Sequence, residues 1–386
     1  MDELLVLIVA AATAVSWWAA KWYYTHRYFV RHTQSLRQAY CKGLNYLLSE
    51  KTDKAIDTFA DLLASDVETI ETHVALGNLF RRRGEVEKAI EIHEELVRRD
   101  TLTDEQRVNA QFELGVDYLR SGLYDRAELI FSNLVDRTSH RRPALELLLQ
   151  IYQQESDWEK ALKCVKDLNQ TAKSPRGESA AQFLCELAVS ALKAEQSEVA
   201  RLLVSEALDS NPTCFRALHI RAGFLARAGD PALALEVVQE AGRANPLYIP
   251  ETLDLLVECF NRLGRSGKEL KGYLDDLYQR LGQDQVAVTL ANLILADEGR
   301  DAAMTYLRGV AEANPTLRIL NALMNVLPEH EAEIRAEPGV FRLMNDALSG
   351  LLLRQPRYRC NQCGFSGQEL HWRCPSCRQW DSTVPV

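Results

Sequence analysis

Three patterns of hydrophobic and polar positions follow one another along the chain. The first is an uncharged run from Leu4 to Ala20, LLVLIVAAATAVSWWAA. As a helix it covers about 25 Å, slightly short of a hydrocarbon layer of ~30 Å. Trp17, Trp18, Trp22, Tyr23 and Tyr24 extend it with amphipathic rings of the kind that settle at a headgroup boundary. A cleaved signal peptide needs a basic start, whereas this one carries Asp2 and Glu3, and the aromatic cluster is a poor cleavage site. The pattern therefore predicts a transmembrane anchor over residues 1–24. Lys21, Arg27, Arg31 and Arg37 all follow the span, which places the remainder on the cytoplasmic side. Residues 25–35 read as a basic juxtamembrane linker.

From 36 to 353 the apolar positions recur as in amphipathic helices, and the pattern repeats every 34 residues. Gly43 and Gly77, Ala55 and Ala89, Ala127 and Ala161, Ala200 and Ala234, and Pro212 and Pro246 are each 34 apart. Leu114, Gly115, Tyr118, Ala127 and Phe131 spell one full frame, and Ala303 and Pro315 restore it further on. A 34-residue L-G-x-x-Y, A-x-x-x-F, Pro frame is the tetratricopeptide (TPR) pattern of paired antiparallel helices. The frame predicts repeats at about 36–69, 70–103, 108–141, 142–175, 181–214, 215–248, 249–282 and 284–317, with a helical cap to 353. The seventh is degenerate: Lys268 and Gly272 stand where a small and an aromatic residue are expected. Gly84, Gly122 and Gly229 mark turns within hairpins, and the repeat-ending prolines stop second helices.

Stacked hairpins form a superhelical solenoid with a concave groove, a surface for extended peptides or helices that brings no chemistry with it. The first helix of each pair lines the groove, so Asn78, Arg81, Arg82 and Arg120 are candidate partner-binding residues. The bland alternative for each is a solvated helix face. The Lys/Asn set with which chaperone-tail-binding TPRs clamp a terminal carboxylate is not assembled.

The third pattern is a cysteine framework in the tail, 354–386: Cys360-x-x-Cys363, ten residues, then Cys374-x-x-Cys377. Two such pairs make thiolate knuckles that can wrap one tetrahedral ion, zinc or iron. Gly364 supplies a tight backbone position after the first pair. The four thiolates would carry a net −2 with a divalent ion, to be offset by Arg357, Arg359, Arg373 and Arg378. His371 is not needed as a ligand. A module this small depends on its ion for folding. Cys41, Cys164, Cys185, Cys214 and Cys259 read as ordinary buried thiols in helices.

Composition narrows the picture. With 47% hydrophobic and 26% charged residues in 386, the chain is globular. Gly and Pro together are only 31 residues, which favours helix. A net charge of −9, concentrated between two mildly basic ends, argues against a nucleic-acid partner. Nine cysteines, four of them in the last 27 residues, do not make a secreted disulfide framework.

The fold class is thus all-α: a TPR solenoid with an N-terminal transmembrane helix and a small C-terminal rubredoxin-like metal ribbon. That ordered set, with GNLFRRRGEVEKAI (77–90), LYDRAE (123–128) and YRCNQCGF…WRCPSCRQW (358–380), closely resembles the lipopolysaccharide assembly protein B family of Gram-negative bacteria over the whole chain. The resemblance implies a metal on Cys360, Cys363, Cys374 and Cys377. It also implies a non-enzymatic regulator at the inner membrane that acts with the membrane protease FtsH to degrade the LpxC deacetylase of lipid A synthesis, opposed by a PbgA/LapC-type membrane regulator. An electron carrier with an iron-loaded tail is the alternative. A zinc enzyme is disfavoured, since a closed four-thiolate shell leaves no open position and no His-Glu-x-x-His motif, nucleophile or phosphate loop is present.

Overall fold

The computed structural model describes residues 16–23, 42–43, 45–46, 52–64, 70–171, 177–265, 267–327 and 340–386. The linker, Cys41 and most of the expected anchor lie outside them. Residues 16–23 are helical, and Trp17, Trp18, Trp22 and Tyr23 on them are 50–66% exposed. Among the described residues no helix is long and apolar enough to cross a membrane.

The described chain divides into two compact units, residues 1–168 and 169–386. In the first, α1 (Thr52–Ala64) precedes the hairpins α2 (Ile70–Arg83)–α3 (Val86–Val97) and α4 (Asp104–Arg120)–α5 (Tyr124–Leu134), then α6 (Arg141–Glu155) and α7 (Trp158–Thr171), within which the unit boundary falls. The second holds α8 (Gly177–Lys193), α9 (Ser197–Ser210), α10 (Phe215–Arg227), α11 (Pro231–Ala244), a 3-10 helix (Pro246–Thr252), α12 (Leu253–Arg262), α13 (Gly267–Leu281), α14 (Asp284–Asp297), α15 (Arg300–Ala313), α16 (Leu317–Val326) and α17 (Val340–Arg354). Strands β1 (Tyr358–Cys360), β2 (Ser366–Gly367) and β3 (Thr383–Pro385) follow in the tail.

The 34-residue frame has a direct packing cause. Ala55, Ala89, Ala127, Ala161, Ala200, Ala234 and Ala303 are all fully buried. Opposite them, a Cβ on Gly43 would meet the Phe59 ring at 2.7 Å, and one on Gly115 would meet Phe131 at 2.8 Å. Phe131 thus fills the space above Gly115 in its own hairpin. In the second repeat the ring above Gly77 is His93, 2.5 Å from a Cβ placed there.

Turns and caps are local. Gly84, Gly122 and Gly229 take φ of 89°, 80° and 86°. At Gly84 the turn closes by the Glu85 N–H donating to the Phe80 carbonyl at 2.9 Å. Thr103 and Gln106 form a reciprocal capping box on α4, and Asp230 with Pro231 starts α11.

The seventh hairpin departs from the frame. Lys268 is exposed and open space lies around Gly272, while Leu270, Leu274 and Leu277 are buried. The inward face has slipped by two residues. Pro250 sits in the 3-10 helix that precedes α12, and without an N–H there the α-helical ladder starts only at Leu253. The slipped hairpin still contributes to the main core of the second unit, which runs from Phe215 to Leu290 and is covered in part by Leu370, Trp372 and Val384 of the tail.

Candidate metal centre

The tail is a three-stranded antiparallel sheet in the order β2-β1-β3, with Tyr358 opposite Gly367 and Pro385, and Cys360 opposite Thr383. β1 delivers Cys360 into the first knuckle. The two Cys-x-x-Cys turns repeat one geometry. The Gly364 N–H donates to the Cys360 carbonyl at 3.0 Å, and the Arg378 N–H to the Cys374 carbonyl at 2.9 Å. The Cys360 N–H donates to Phe365 O at 2.7 Å, and the Cys374 N–H to Gln379 O at 2.9 Å. The residue after each pair is left-handed: Gly364 at φ 77° and, less comfortably, Arg378 at φ 61°.

This geometry gathers four sulfurs within 4.8 Å of one another. Cys360 and Cys377 Sγ are 3.6 Å apart, as are Cys363 and Cys374 Sγ. A tetrahedral zinc site with bonds of about 2.3 Å needs sulfur separations of ~3.8 Å, so these four residues fit one ion. Cys360 and Cys374 are buried, whereas Cys363 is exposed. His371 packs edge-on against Phe365, outside the cluster.

The electrostatics also suit a cation. Ser382 Oγ lies 3.4 Å from Cys360 Sγ, and its hydroxyl, with the backbone N–H groups of the knuckle, pulls that thiol down to about 6. The Phe365 N–H lowers Cys363 likewise. At Cys377 the N–H of Gln379 also pulls down, but burial and the neighbouring sulfurs outweigh it and push the thiol up to about 11. The first protons leave easily and the last leaves against accumulated negative charge, which a divalent ion would remove. The arginines play a smaller part than expected. Arg373 lies over the Trp380 ring and donates to the Arg378 carbonyl at 3.3 Å. Arg357 and Arg359 flank Tyr358, and Arg359 leaves β1 on the face opposite Tyr358 and Cys360, because successive strand residues alternate.

The ribbon is seated on the helices of the second unit by contacts that the cysteine spacing did not reveal. The Tyr248 hydroxyl donates to the Thr383 carbonyl at 2.9 Å, and the Tyr358 hydroxyl to Glu251 at 2.7 Å. Gln182 Nε2 donates to the Asp381 carboxylate at 2.8 and 2.9 Å. Trp372 packs 5.3 Å from Tyr248 and 6.0 Å from Phe215, and Arg216, paired with Glu186, lies over it. Phe183 meets Trp380 edge-on. The signal available in the sequence was the pair of tryptophans beside Cys374 and Cys377, too large for so small a module to bury unaided. Below this seat the thiols of Cys185 and Cys214 hydrogen-bond each other, both buried.

In the first unit, helices α2, α4 and α6 border a cavity of about 580 Å³ whose walls include Val74, Asn78, Asn109, Phe112, His140 and Pro143. Of the four groove candidates, Asn78 alone lines it. Arg81 is spent inside the array: it pairs with Asp117 at 2.7 Å and also with Glu113 and Asn78. Asp117 is fully buried and accepts on its other oxygen from His93 Nδ1 at 2.5 Å. Arg82 and Arg120 are exposed and lie off the cavity wall.

Comparison with known proteins agrees with this layout. The tetratricopeptide repeat family matches residues 72–105 and 185–248, and the rubredoxin metal binding domain family matches 358–385. The chain is 35% identical to lipopolysaccharide assembly protein B of Escherichia coli (strain K12), over 100% of this chain and 98% of that one. It is 32% identical to the protein of the same name from Haemophilus influenzae, again over 100% and 98%.

Proposed function

Because the chain belongs to the lipopolysaccharide assembly protein B family, we propose that it regulates lipopolysaccharide synthesis as a membrane-held adaptor and not as a catalyst. The observation that carries this reading is the likeness along the full length of both chains to proteins named for lipopolysaccharide assembly. In this reading the groove of the array holds the LpxC deacetylase and presents it to the FtsH protease for degradation. Residues 1–24 hold the assembly at the inner membrane with the bulk of the chain in the cytoplasm, where a PbgA/LapC-type regulator opposes it. The uncharged run from Leu4 and the exposed rings of Trp17, Trp18 and Trp22 support the anchor.

Cys360, Cys363, Cys374 and Cys377 hold one ion, zinc by preference because the shell is closed. The ion keeps the ribbon folded, and the folded ribbon keeps Trp372 and Tyr358 against the helices. An electron-carrier role is not favoured, since the full-length relatives are named for lipopolysaccharide assembly. The test is Cys374→Ser. We expect helicity of the array to persist while the deacetylase accumulates in cells. An unchanged deacetylase half-life would remove the ribbon from the regulation.

A further inference from the structure

Where the ribbon meets the cap of the array, helices α14, α16 and α17 and strand β1 enclose a cavity of about 310 Å³. Three arginines line it: Arg318 from the first turn of α16, Arg357 from the entry to β1, and Arg359 from the outward face of β1. None of the three makes an ion pair among the described residues, although seventeen such pairs are formed elsewhere by described side chains, most of them on open surface. Asp284 is the one acidic side chain on the wall, which leaves a surplus of two positive charges. A terminal carboxylate on Val386, which also lines the cavity, would still leave one. Gathering guanidiniums in this way is costly. Burial pulls Arg318 below the usual guanidinium range, and the charge of Arg357 adds to it against the opposing pull of Asp284. A fold that tolerates this repulsion gains most from an anion with several oxygens to share.

We propose that this cavity is a binding site for a phosphate monoester, whose dianion is held by the forked guanidiniums of Arg318, Arg357 and Arg359. Guanidinium forks match the oxygens of phosphate two at a time, and a dianion matches the surplus charge where a single carboxylate does not. The volume accommodates a phosphate with a small polar body attached. Because Arg357 and Arg359 belong to the ribbon and Arg318 to the array, the bound anion ties the two together. Occupancy is therefore coupled to ribbon docking. The phosphate could be borne by a soluble metabolite or by a lipid headgroup, and the chemistry at the arginines is the same.

The experiment uses the full-length, metal-loaded protein in neutral detergent micelles or nanodiscs. Inorganic phosphate and glucose 1-phosphate are titrated by calorimetry, and vesicles of phosphatidic acid in phosphatidylcholine by co-sedimentation. Succinate serves as the carboxylate control. Saturable phosphate binding with a Kd of about 1 mM or tighter is expected. Arg318→Gln and Arg357→Gln should each weaken it about tenfold or more, as loss of a charge-assisted fork implies. Arg359→Gln, on an exposed strand position, tests the site without threatening the fold, and Arg227→Gln, far along the chain on α10, should leave affinity unchanged. Phosphate should also slow removal of the metal by a chelator, and the Arg359→Gln variant should lose that protection. Binding of glucose 1-phosphate alone assigns a soluble ligand, and binding of the vesicles alone assigns a headgroup; either supports the site. No saturable binding, equal binding of succinate, or affinity unchanged in Arg359→Gln and Arg357→Gln with metal content and helicity intact would overturn it.

Discussion

Single atoms decide much of the tail's behaviour, and Ser382 is the clearest case. Its hydroxyl lies against Cys360 and holds that thiol near 6. In the metal-free protein Cys360 is therefore a thiolate at neutral pH. The charged form favours the fold, so this contribution is present above the unfolded thiol's range and is lost as pH falls through about 6. Ser382→Ala removes the hydroxyl, and the first step of thiolate formation, read by ultraviolet absorbance against pH, should move up toward the ordinary thiol range near 8.5. A first step that stays near 6 would show that the backbone N–H groups suffice. The sequence displays the four sulfurs but not this partner, because nothing in the spacing of Ser382 distinguishes it from a loop serine. His93 is similar. It stands 34 residues after Phe59, so its burial was legible from the frame, but its bond to Asp117 depends on a helix of the next hairpin.

At the scale of helices and hairpins, one substitution should act with opposite signs at two glycines. Gly115 lies under Phe131 in the α4–α5 contact, where an added methyl would sit 2.8 Å from the ring. Gly115→Ala should destabilise by about 1–3 kcal/mol through overpacking. Gly272 lies in the middle of α13 with open space around it. Gly272→Ala should stabilise by about 0.5–1 kcal/mol, the helix-propensity gain alone. Chemical denaturation of the two variants checks the pair, and effects of the same sign would contradict the packing account. The frame predicted Gly115 correctly because its cause is local to one hairpin. It misplaced the inward positions of the seventh hairpin because the two-residue slip arises from Pro250 upstream, and the buried leucines Leu270 and Leu274 identify the new face only once the helices are in place.

For the whole molecule, two interventions separate its parts. A chelator that strips the four-thiolate site should unfold the ribbon, quench or shift the fluorescence of Trp372 and Trp380, and leave far-UV helicity nearly unchanged, because the hairpins bury their own core. A large loss of helicity would make the ribbon a structural keystone of the array instead. Removing residues 1–24 should yield a folded protein that regulates less well in cells, because confinement beside a membrane protease raises effective concentration. Undiminished regulation by that shortened chain would make the anchor dispensable. By itself the sequence determined the helical repeat, the turns at Gly84, Gly122 and Gly229, and the four clustered cysteines. Each follows from spacing along the chain, through helix periodicity or the reach of a two-residue knuckle. Only the tertiary structure decided that Arg81 is consumed within the array, that Tyr248, Glu251 and Gln182 seat the ribbon, and that Arg318, Arg357 and Arg359 converge on one cavity. These pairings join residues tens to hundreds of positions apart, and such distances carry no periodic signal. They exist only because folded surfaces bring complementary groups together.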